Sequence, residues 1–296
     1  MNILIAGGTG FLGTYIKSKF EENGDKVRVI SRAKGDVCWN ERDISKELNC
    51  TDVLINLAGK SIDCRFAEKN KRQILSSRIH TTALLNNAVS NCKTPPKLWI
   101  NASAIGIYKH TTEERLNEYS VNNAQDFLGI VVQKWEDVFF SIDFPRTRKV
   151  ALRTSVVLGA SGGVFPLLNR LSKLGLGGKQ GDGNQVFSWI FIEDYYRIIR
   201  FIIQNEAISG VVNASAPNTI SNKQLMKEIK RVNNALFSIP SPKFILRIAS
   251  YLFNFQPDLV LDSTNIYSQK LQDLNFDFNA PEIKTAIKLL NNKNEK

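Results

Sequence analysis

The chain has 296 residues, of which 43% are hydrophobic, and its 39 Lys and Arg against 28 Asp and Glu give a formal net charge of +11. This composition is globular, which excludes a disordered or collagen-like chain. The length allows one large domain, or a main domain with a smaller appendage.

Strands alternate with helices over the first 160 residues. A short apolar strand at 2–6 ends at glycine, and helical spacing of Phe11, Tyr15, Ile16 and Phe20 follows over 10–22. The pattern then predicts strands at 26–31, 53–57, 97–102 and 149–158, and helices at 68–91 and 124–140. This alternation requires right-handed crossovers, so it predicts an α/β fold with a Rossmann-type doubly wound parallel sheet.

The second half of the chain is less regular. A loop with five glycines over 175–183 precedes a strand-like segment at 186–192 and a helix at 193–204. Further helices are predicted at 221–234, 243–253 and 281–291, the first with Ser221 as its N-cap. We therefore expect a Rossmann domain over 1–160, to which a strand and a helix around 186–215 return. Residues 161–185 and 216–296 are expected to form a smaller, mainly helical C-terminal region that acts as a substrate domain or lid.

A glycine turn follows the first strand. The segment Gly7-Gly8-Thr9-Gly10-Phe11-Leu12-Gly13 spaces glycines by three and opens the first helix. Gly7 permits a tight turn, Gly10 lets the backbone approach a pyrophosphate, and Gly13 permits close packing of helix on strand. Together with the helix N-terminus, this position in a βαβ chain predicts a dinucleotide-binding site.

The end of the second strand indicates which dinucleotide binds. An acidic residue there would bind a ribose 2′-hydroxyl, whereas a basic residue accepts a 2′-phosphate. Here the strand ends in Ser31 and Arg32, with Lys34 nearby, while Asp36 lies further along and is expected to be a solvated loop residue. A guanidinium grips phosphate bidentately, so the sequence predicts NADP(H) as the cofactor.

Other partner classes are not indicated. The four cysteines are scattered without a C-x-x-C pair, and there are only two histidines, so we expect neither a metal site nor a disulfide framework. No stretch reaches the ~18 apolar residues of a membrane span, and the N-terminus lacks a basic signal-peptide region. The basic residues form no dense tract, which argues against nucleic acid. We therefore expect a cytoplasmic protein without a nucleic-acid or membrane partner.

Motifs along nearly the whole chain carry a family resemblance. They are the glycine turn; 55–59; Arg65-Phe66 with Lys71, Ile74, Ser77 and Arg78; 102–104 with Gly106 and Tyr108; Trp135-Glu136; 152–154 with 156–159; and 174–178 with Gly181, Gly183, Gln185 and 188–190. In this order the motifs resemble the extended short-chain dehydrogenases/reductases, the NAD(P)-dependent epimerase/dehydratase family. The chain is most similar to the atypical "epimerase family protein" branch, which has its own C-terminal domain.

The resemblance implies a fuller cofactor site. Besides Gly7, Thr9, Gly10, Phe11, Leu12, Gly13, Ser31 and Arg32, it implies Leu57, Ala58, Arg78 and Val157. Leu57 and Ala58 would line the adenosine side, Arg78 would reach in from the long helix, and Val157 would contact the nicotinamide end through its backbone. Arg78 also has a plain interpretation as a solvated helix residue.

The usual catalytic pair of this superfamily is missing. There, a Tyr with a Lys four residues later transfers a proton while a Ser orients the substrate oxygen. Ser103 fits the serine position, but Leu128 and Val132 occupy the tyrosine and lysine positions, and neither can exchange a proton. The branch that this chain resembles also lacks the pair, which argues for altered or lost chemistry.

Tyr108 is the best replacement acid, because its phenol could face the nicotinamide from the loop after the serine strand. The alternative is an aromatic that packs on the cofactor or substrate. Arg153 lies on an apolar strand, so its charge needs a partner, either Glu136 or a ligand anion. A buried ion pair with a purely structural role is an equal alternative to a role in the site.

Two functions remain at this stage. The first is an NADP-dependent oxidoreductase or epimerase-like enzyme with an unidentified small substrate, in which Ser103 and Tyr108 polarise the substrate oxygen. The second is a non-catalytic NADP(H)-binding redox sensor or interaction module, in which Leu128 and Val132 mark lost chemistry. A homodimer through the two long helices is expected only by analogy with the superfamily.

Overall fold

A six-stranded parallel sheet forms the centre of the computed structural model, which describes residues 1–32, 35–121, 124–253 and 256–292. Within the described ranges the strands are β1 (Asn2–Ala6), β2 (Lys26–Ile30), β3 (Val53–Asn56), β4 (Leu98–Ala104), β5 (Arg148–Thr154), β6 (Val156–Leu158), β7 (Val186–Phe187), β8 (Trp189–Phe191), β9 (Gly210–Ala214) and β10 (Ile220–Ser221). The strand order in the main sheet is β2-β1-β3-β4-β5-β9. The order reverses between β1 and β3, as in a doubly wound fold, so the predicted fold class is confirmed.

Helices cover both faces of the sheet. They are α1 (Phe11–Glu22), α2 (Glu41–Leu48), α3 (Glu68–Ser90), α4 (Phe127–Phe140), α5 (Phe165–Lys173), α6 (Ile192–Gln204), α7 (Asn222–Val232), α8 (Lys243–Phe253), α9 (Asp258–Leu261), α10 (Gln269–Asp273) and α11 (Ile283–Asn292). Alternate strand residues point to opposite faces. Ile3 and Ile5 belong to the core that contains buried residues of α1 and α6, whereas Leu4 packs in the core that contains residues of α2, α3 and α4.

The strand predicted at 149–158 is two strands in different sheets. β5 runs in the main sheet, and β6 pairs with β8 in a separate two-stranded sheet. Ser155 separates them, and its hydroxyl donates to the carbonyl of Ala214. Of the segment around 186–215, β9 joins the main sheet beside β5, while β7 pairs with β10 and β8 with β6.

Four helices of the described residues escape the sequence patterns, namely α2, α5 and the short helices α9 and α10. α2 buries only Ile44 and Leu48, and two apolar residues among eight are too few to mark an apolar stripe. α5 lies in a segment whose glycines suggest a loop, although Pro166 in its first turn is typical of a helix start. The helix predicted at 124–140 begins later, because the Asp126 side chain accepts a hydrogen bond from the Gly129 amide as an N-cap.

Among the described residues, no helix is both long enough and apolar enough to cross a bilayer.

Lys149 is a buried cation at the start of β5. Its ammonium donates to the carbonyl of Ile142 at 2.8 Å and to that of Phe139, the last turn of α4. The rings of Phe139 and Phe144 lie 4.6 and 5.0 Å away. Burial lowers the pKa of Lys149 from 10.5 to about 8.

We expect the stability of the protein to rise with pH through this lysine. Because the pKa of Lys149 is lower in the folded chain than in the unfolded chain, the folded state binds fewer protons between about pH 8 and 10.5. From pH 7 to pH 10, the unfolding free energy of the wild type should therefore rise by roughly 2 kcal/mol relative to that of Lys149→Met. Urea unfolding across this range measures the difference, and parallel pH curves for the two proteins would contradict it.

Candidate functional site

The glycine turn is pressed between β3 and α1. Gly7 has φ +80°, and a Cβ there would lie 2.9 Å from the backbone nitrogen of Ala58. A Cβ on Gly13 would lie 2.5 Å from the Gly7 carbonyl oxygen. Gly10 is the N-cap of α1, and no side chain caps this helix. The first-turn amides of Phe11, Leu12 and Gly13 therefore remain available to an anion.

The side chain of Phe11 joins the turn to the loop that follows β6. A Cβ on Gly159 or Gly162 would come within 2.6 or 2.3 Å of the Phe11 ring, so both glycines leave room for it. Val157, in β6, is buried just before this loop. The structure thus brings Val157 and the glycine turn towards the same edge of the sheet.

The end of β2 presents an exposed cation beside the turn. The Thr9 and Ser31 hydroxyl oxygens are 3.4 Å apart, and Arg32 next to them is exposed. In contrast, the carboxylate of Asp36 accepts from the Val29 amide at 2.8 Å, so this acid is engaged by the strand backbone. Lys34 lies outside the described residues.

A buried amide orders the end of β3. Asn56 is fully buried, and its side-chain oxygen accepts from the Ala58 amide at 3.1 Å. Its side-chain nitrogen donates to the Asn101 side chain on β4 at 2.6 Å. Leu57 continues the strand backbone by donating its amide to the Ala6 carbonyl. Asn56 therefore holds Leu57 and Ala58 against the glycine turn, a role that the sequence motif alone did not reveal.

Arg78 is a half-buried cation without a carboxylate partner among the described residues. Its guanidinium donates to the carbonyls of Lys60 and Ile74, both at 3.0 Å, and lies 5.1 Å from the Trp135 ring. A Cβ on Gly59 would lie 3.2 Å from its Cζ, so the head group lies directly beside the loop after β3. Desolvation lowers the pKa of Arg78 to about 10. The head group is thus engaged by backbone carbonyls, whereas a freely solvated helix residue would extend it into water.

The Ser103 hydroxyl is bound to a buried ion pair between Glu136 and Arg153. This hydroxyl donates to Glu136 Oε1 at 2.5 Å. Arg153 binds the same carboxylate bidentately, with Nε to Oε1 at 2.9 Å and Nη2 to Oε2 at 2.8 Å. Burial lowers the pKa of Arg153, but hydrogen bonds and charge from Glu136 outweigh it and leave that pKa raised. Glu136 is thus the partner that Arg153 needed.

Tyr108 lies on the other side of Arg153. The phenol is fully buried, accepts from Arg153 Nη1 at 2.8 Å and donates to the Asn213 side chain at 2.8 Å. Burial raises the pKa of Tyr108 against the opposing effect of Arg153. Strand register explains the cluster, since Ser103 pairs with Arg153 and Arg153 with Asn213 across β4, β5 and β9.

An apolar cluster stands where the superfamily has its proton-transfer pair. Val132 is buried with Ile107 and Tyr108, and a Cβ on Gly106 would lie 3.5 Å from the Leu128 Cβ. The structure therefore assembles the predicted cofactor residues around the β1 and β3 edge. It holds the hydroxyls of Ser103 and Tyr108 inside the protein, turned to other side chains.

Comparisons with known proteins agree with this architecture. Residues 3–128 match the NAD dependent epimerase/dehydratase family, and residues 241–290 match a domain of unknown function, DUF1731. The epimerase family protein YfhF of Bacillus subtilis is 38% identical over 256 residues, covering 83% of this chain and 84% of that protein. The epimerase family protein SDR39U1 of Mus musculus is 31% identical over 294 residues, covering 97% and 99%.

Solved structures extend the likeness. The human epimerase family protein SDR39U1, crystallised with NADPH, superposes with a TM-score of 0.88 at 28% identity and covers 98% of this chain and 99% of its own. A UDP-glucose 4-epimerase from Thermotoga maritima has a TM-score of 0.77 at 17% identity over the full length of both chains, which shows the shared fold alone.

We expect Glu136→Gln to lower the free energy of unfolding by about 3 to 5 kcal/mol, because Arg153 would be left as an uncompensated buried charge. The double variant Glu136→Leu with Arg153→Met should recover most of that loss, since it removes both charges. Urea unfolding at pH 7 compares the three proteins. Equal destabilisation in the single and double variants would show that the pair is not the cause.

Proposed function

The chain belongs to the NAD dependent epimerase/dehydratase family, in the branch of epimerase family proteins, and on this premise we propose that it is an NADP(H)-dependent oxidoreductase or epimerase-like enzyme. The observation that carries the proposal is Arg78, a half-buried guanidinium that donates to backbone carbonyls and has no carboxylate partner in the described residues, beside the loop that follows β3. A partly desolvated cation favours a counter-charge, and a dinucleotide phosphate supplies one. We further propose a small-molecule substrate and a cytoplasmic location.

The residues present fit a dinucleotide. The space that a Cβ on Gly7 would fill is kept free, and the uncapped N-terminus of α1 offers amide donors for the pyrophosphate. Leu57 and Ala58 line the adenosine side, while Val157 lies on the nicotinamide side. When bound, NADPH supplies a hydride from its nicotinamide, and the protein orients the ring against the substrate carbon.

NADP(H) is favoured over NAD(H) by the end of β2. Arg32 is exposed beside the Ser31 hydroxyl, where it would pair with a 2′-phosphate. Asp36 is held by the Val29 amide, so that it does not serve as the ribose-binding acid of NAD sites.

A second candidate function follows from the buried hydroxyls. Ser103 is bound to Glu136, and Tyr108 is bound to Arg153 and Asn213, so neither is turned towards a substrate. Leu128 and Val132 offer no proton. A non-catalytic NADP(H)-binding redox sensor or interaction module would need only the cofactor site.

We expect Arg32→Ala to weaken NADPH binding by about ten- to a hundredfold and to leave NADH binding unchanged, because it removes a charge-assisted phosphate contact worth roughly 1.5 to 3 kcal/mol. Arg78→Met should weaken both cofactors, since Arg78 lies beside the part of the site that they share. Titrations followed by nicotinamide fluorescence measure the four affinities.

Arg28→Ala is the matched control for this titration. Arg28 lies in β2, four residues before Arg32, and is already paired with Glu47, so its loss should leave both affinities unchanged. Equal losses of NADPH and NADH affinity in Arg32→Ala would contradict the 2′-phosphate role. Absence of binding to either cofactor in the wild type would remove both candidate functions.

Turnover separates the two candidates. For the enzyme we expect slow NADPH oxidation with a carbonyl substrate. Deuterium at C4 of the nicotinamide should slow this oxidation further in only one of the two C4-deuterated stereoisomers, because the protein presents one face of the ring to the substrate. Ser103→Ala should reduce this rate if the hydroxyl polarises the substrate oxygen. Tight NADPH binding without turnover across a broad panel of carbonyl compounds and nucleotide sugars would favour the sensor instead.

A further inference from the structure

The outward face of α8 is apolar and exposed. Phe244, Ile248 and Tyr251 recur at helical spacing and are 63%, 60% and 69% exposed, and Ile245 beside them is 43% exposed. Leu246, on the opposite side of the helix, is buried and anchors it. Such a contiguous run of exposed large side chains marks an interaction surface.

Two neighbouring segments extend this face. Leu174 and Leu176 follow α5, and Phe237 and Ile239 precede α8; all four are exposed. The segments are joined, because the Ile239 amide donates to the carbonyl of Gly175 at 2.8 Å, and a Cβ on Gly175 would meet the Phe237 ring. The two loops therefore lie side by side, and α8 begins four residues after Ile239. We call the exposed apolar and basic side chains of α8 and these two loops the apolar-basic face.

The charge on these segments has one sign. Residues 159–181 and 229–257 contain no Asp or Glu. Their seven basic residues are Arg170, Lys173, Lys179, Lys230, Arg231, Lys243 and Arg247. Arg65 adds a further cation at the edge of the face, stacked 4.0 Å from the Tyr251 ring. Arg231 is paired with Glu228, which lies just before the second range. The face thus combines exposed apolar groups with positive charge that is mostly left uncompensated by its own segments.

We propose that the apolar-basic face docks the protein on an anionic lipid surface. The apolar side chains would enter the interface while the basic residues meet lipid phosphates, the arrangement of an interfacial amphipathic helix. A small ligand needs a concave site, whereas these side chains protrude from a helix and from loops. The sequence has no membrane-spanning segment, and for that reason no membrane partner was expected. Docking on a membrane surface, however, requires no spanning segment.

Vesicle co-sedimentation of the full chain tests the proposal. We expect binding to vesicles of phosphatidylcholine mixed with phosphatidylglycerol and little binding to phosphatidylcholine alone. Phe244→Ser with Ile248→Ser should abolish binding, and because both side chains are exposed, the folded structure should survive. Lys243→Glu with Arg247→Glu should lower partitioning by at least roughly tenfold.

A matched control lies on α2. Arg42 and Lys46 have the same spacing on an exposed helix face, so Arg42→Glu with Lys46→Glu makes the same change in net charge far from α8 in sequence. This variant should keep at least half of the wild-type binding. Circular dichroism and urea unfolding report whether each variant is folded, independently of lipid.

Three results would overturn the proposal. They are equal partitioning of the wild type on neutral and anionic vesicles, unchanged binding in both α8 variants, and a wild-type dimer in sedimentation velocity that dissociates in Phe244→Ser with Ile248→Ser. The last result would assign the face to a second copy of this chain. None of these measurements depends on cofactor binding or turnover, so the proposed function is tested separately.

Discussion

The parallel register of the central strands is the constraint on which both halves of the site depend. Ala6 pairs with Asn56, and Asn56 pairs with Asn101, so β1 and β3 end level with one another while β4 continues for three more residues, to Ala104. This alignment places the glycine turn against Ala58 and lets two buried amides bond across strands. Beyond that level, the register of β4, β5 and β9 sets Ser103, Arg153 and Asn213 side by side. The carboxyl ends of these strands therefore carry both the residues proposed for the cofactor and the buried polar cluster.

Two arginines near the carboxyl ends of these strands, Arg153 and Arg78, differ in the groups that compensate their charge. Arg153 holds Glu136 through two hydrogen bonds and contacts Tyr108, so its charge is compensated within the protein. Among the described residues, the partners of Arg78 are carbonyl oxygens and the Trp135 ring, and desolvation lowers its pKa. The first arrangement stabilises a fold, whereas the second suits a ligand anion. Both residues are arginines, so only their surroundings distinguish the two roles.

The predicted fold class is confirmed, and the structure gathers the predicted cofactor residues, whereas it turns the predicted catalytic hydroxyls inward. The alternation of strands and helices, the position of the glycines and the residues Ser31 and Arg32 are local signals, and local signals can be read along the chain. The short helix α2 was missed because only two of its eight residues are buried, too few to recur as a stripe. Whether Ser103 and Tyr108 face a substrate depends on contacts with Glu136 and Asn213, which lie 33 and 105 residues away in the chain. No spacing rule reaches that far.

The sequence by itself determined the α/β class and the glycine turn between the first strand and the first helix, because each follows from residue type and periodicity along one segment. The absence of the Tyr-Lys pair followed from the resemblance to the family. The tertiary structure decided that Arg78 has no carboxylate partner among the described residues and that Ser103 and Tyr108 are internal. It also joined the loop after α5 to the loop before α8. These outcomes depend on which distant segments meet, and that is settled by burial and hydrogen bonding across strands and helices.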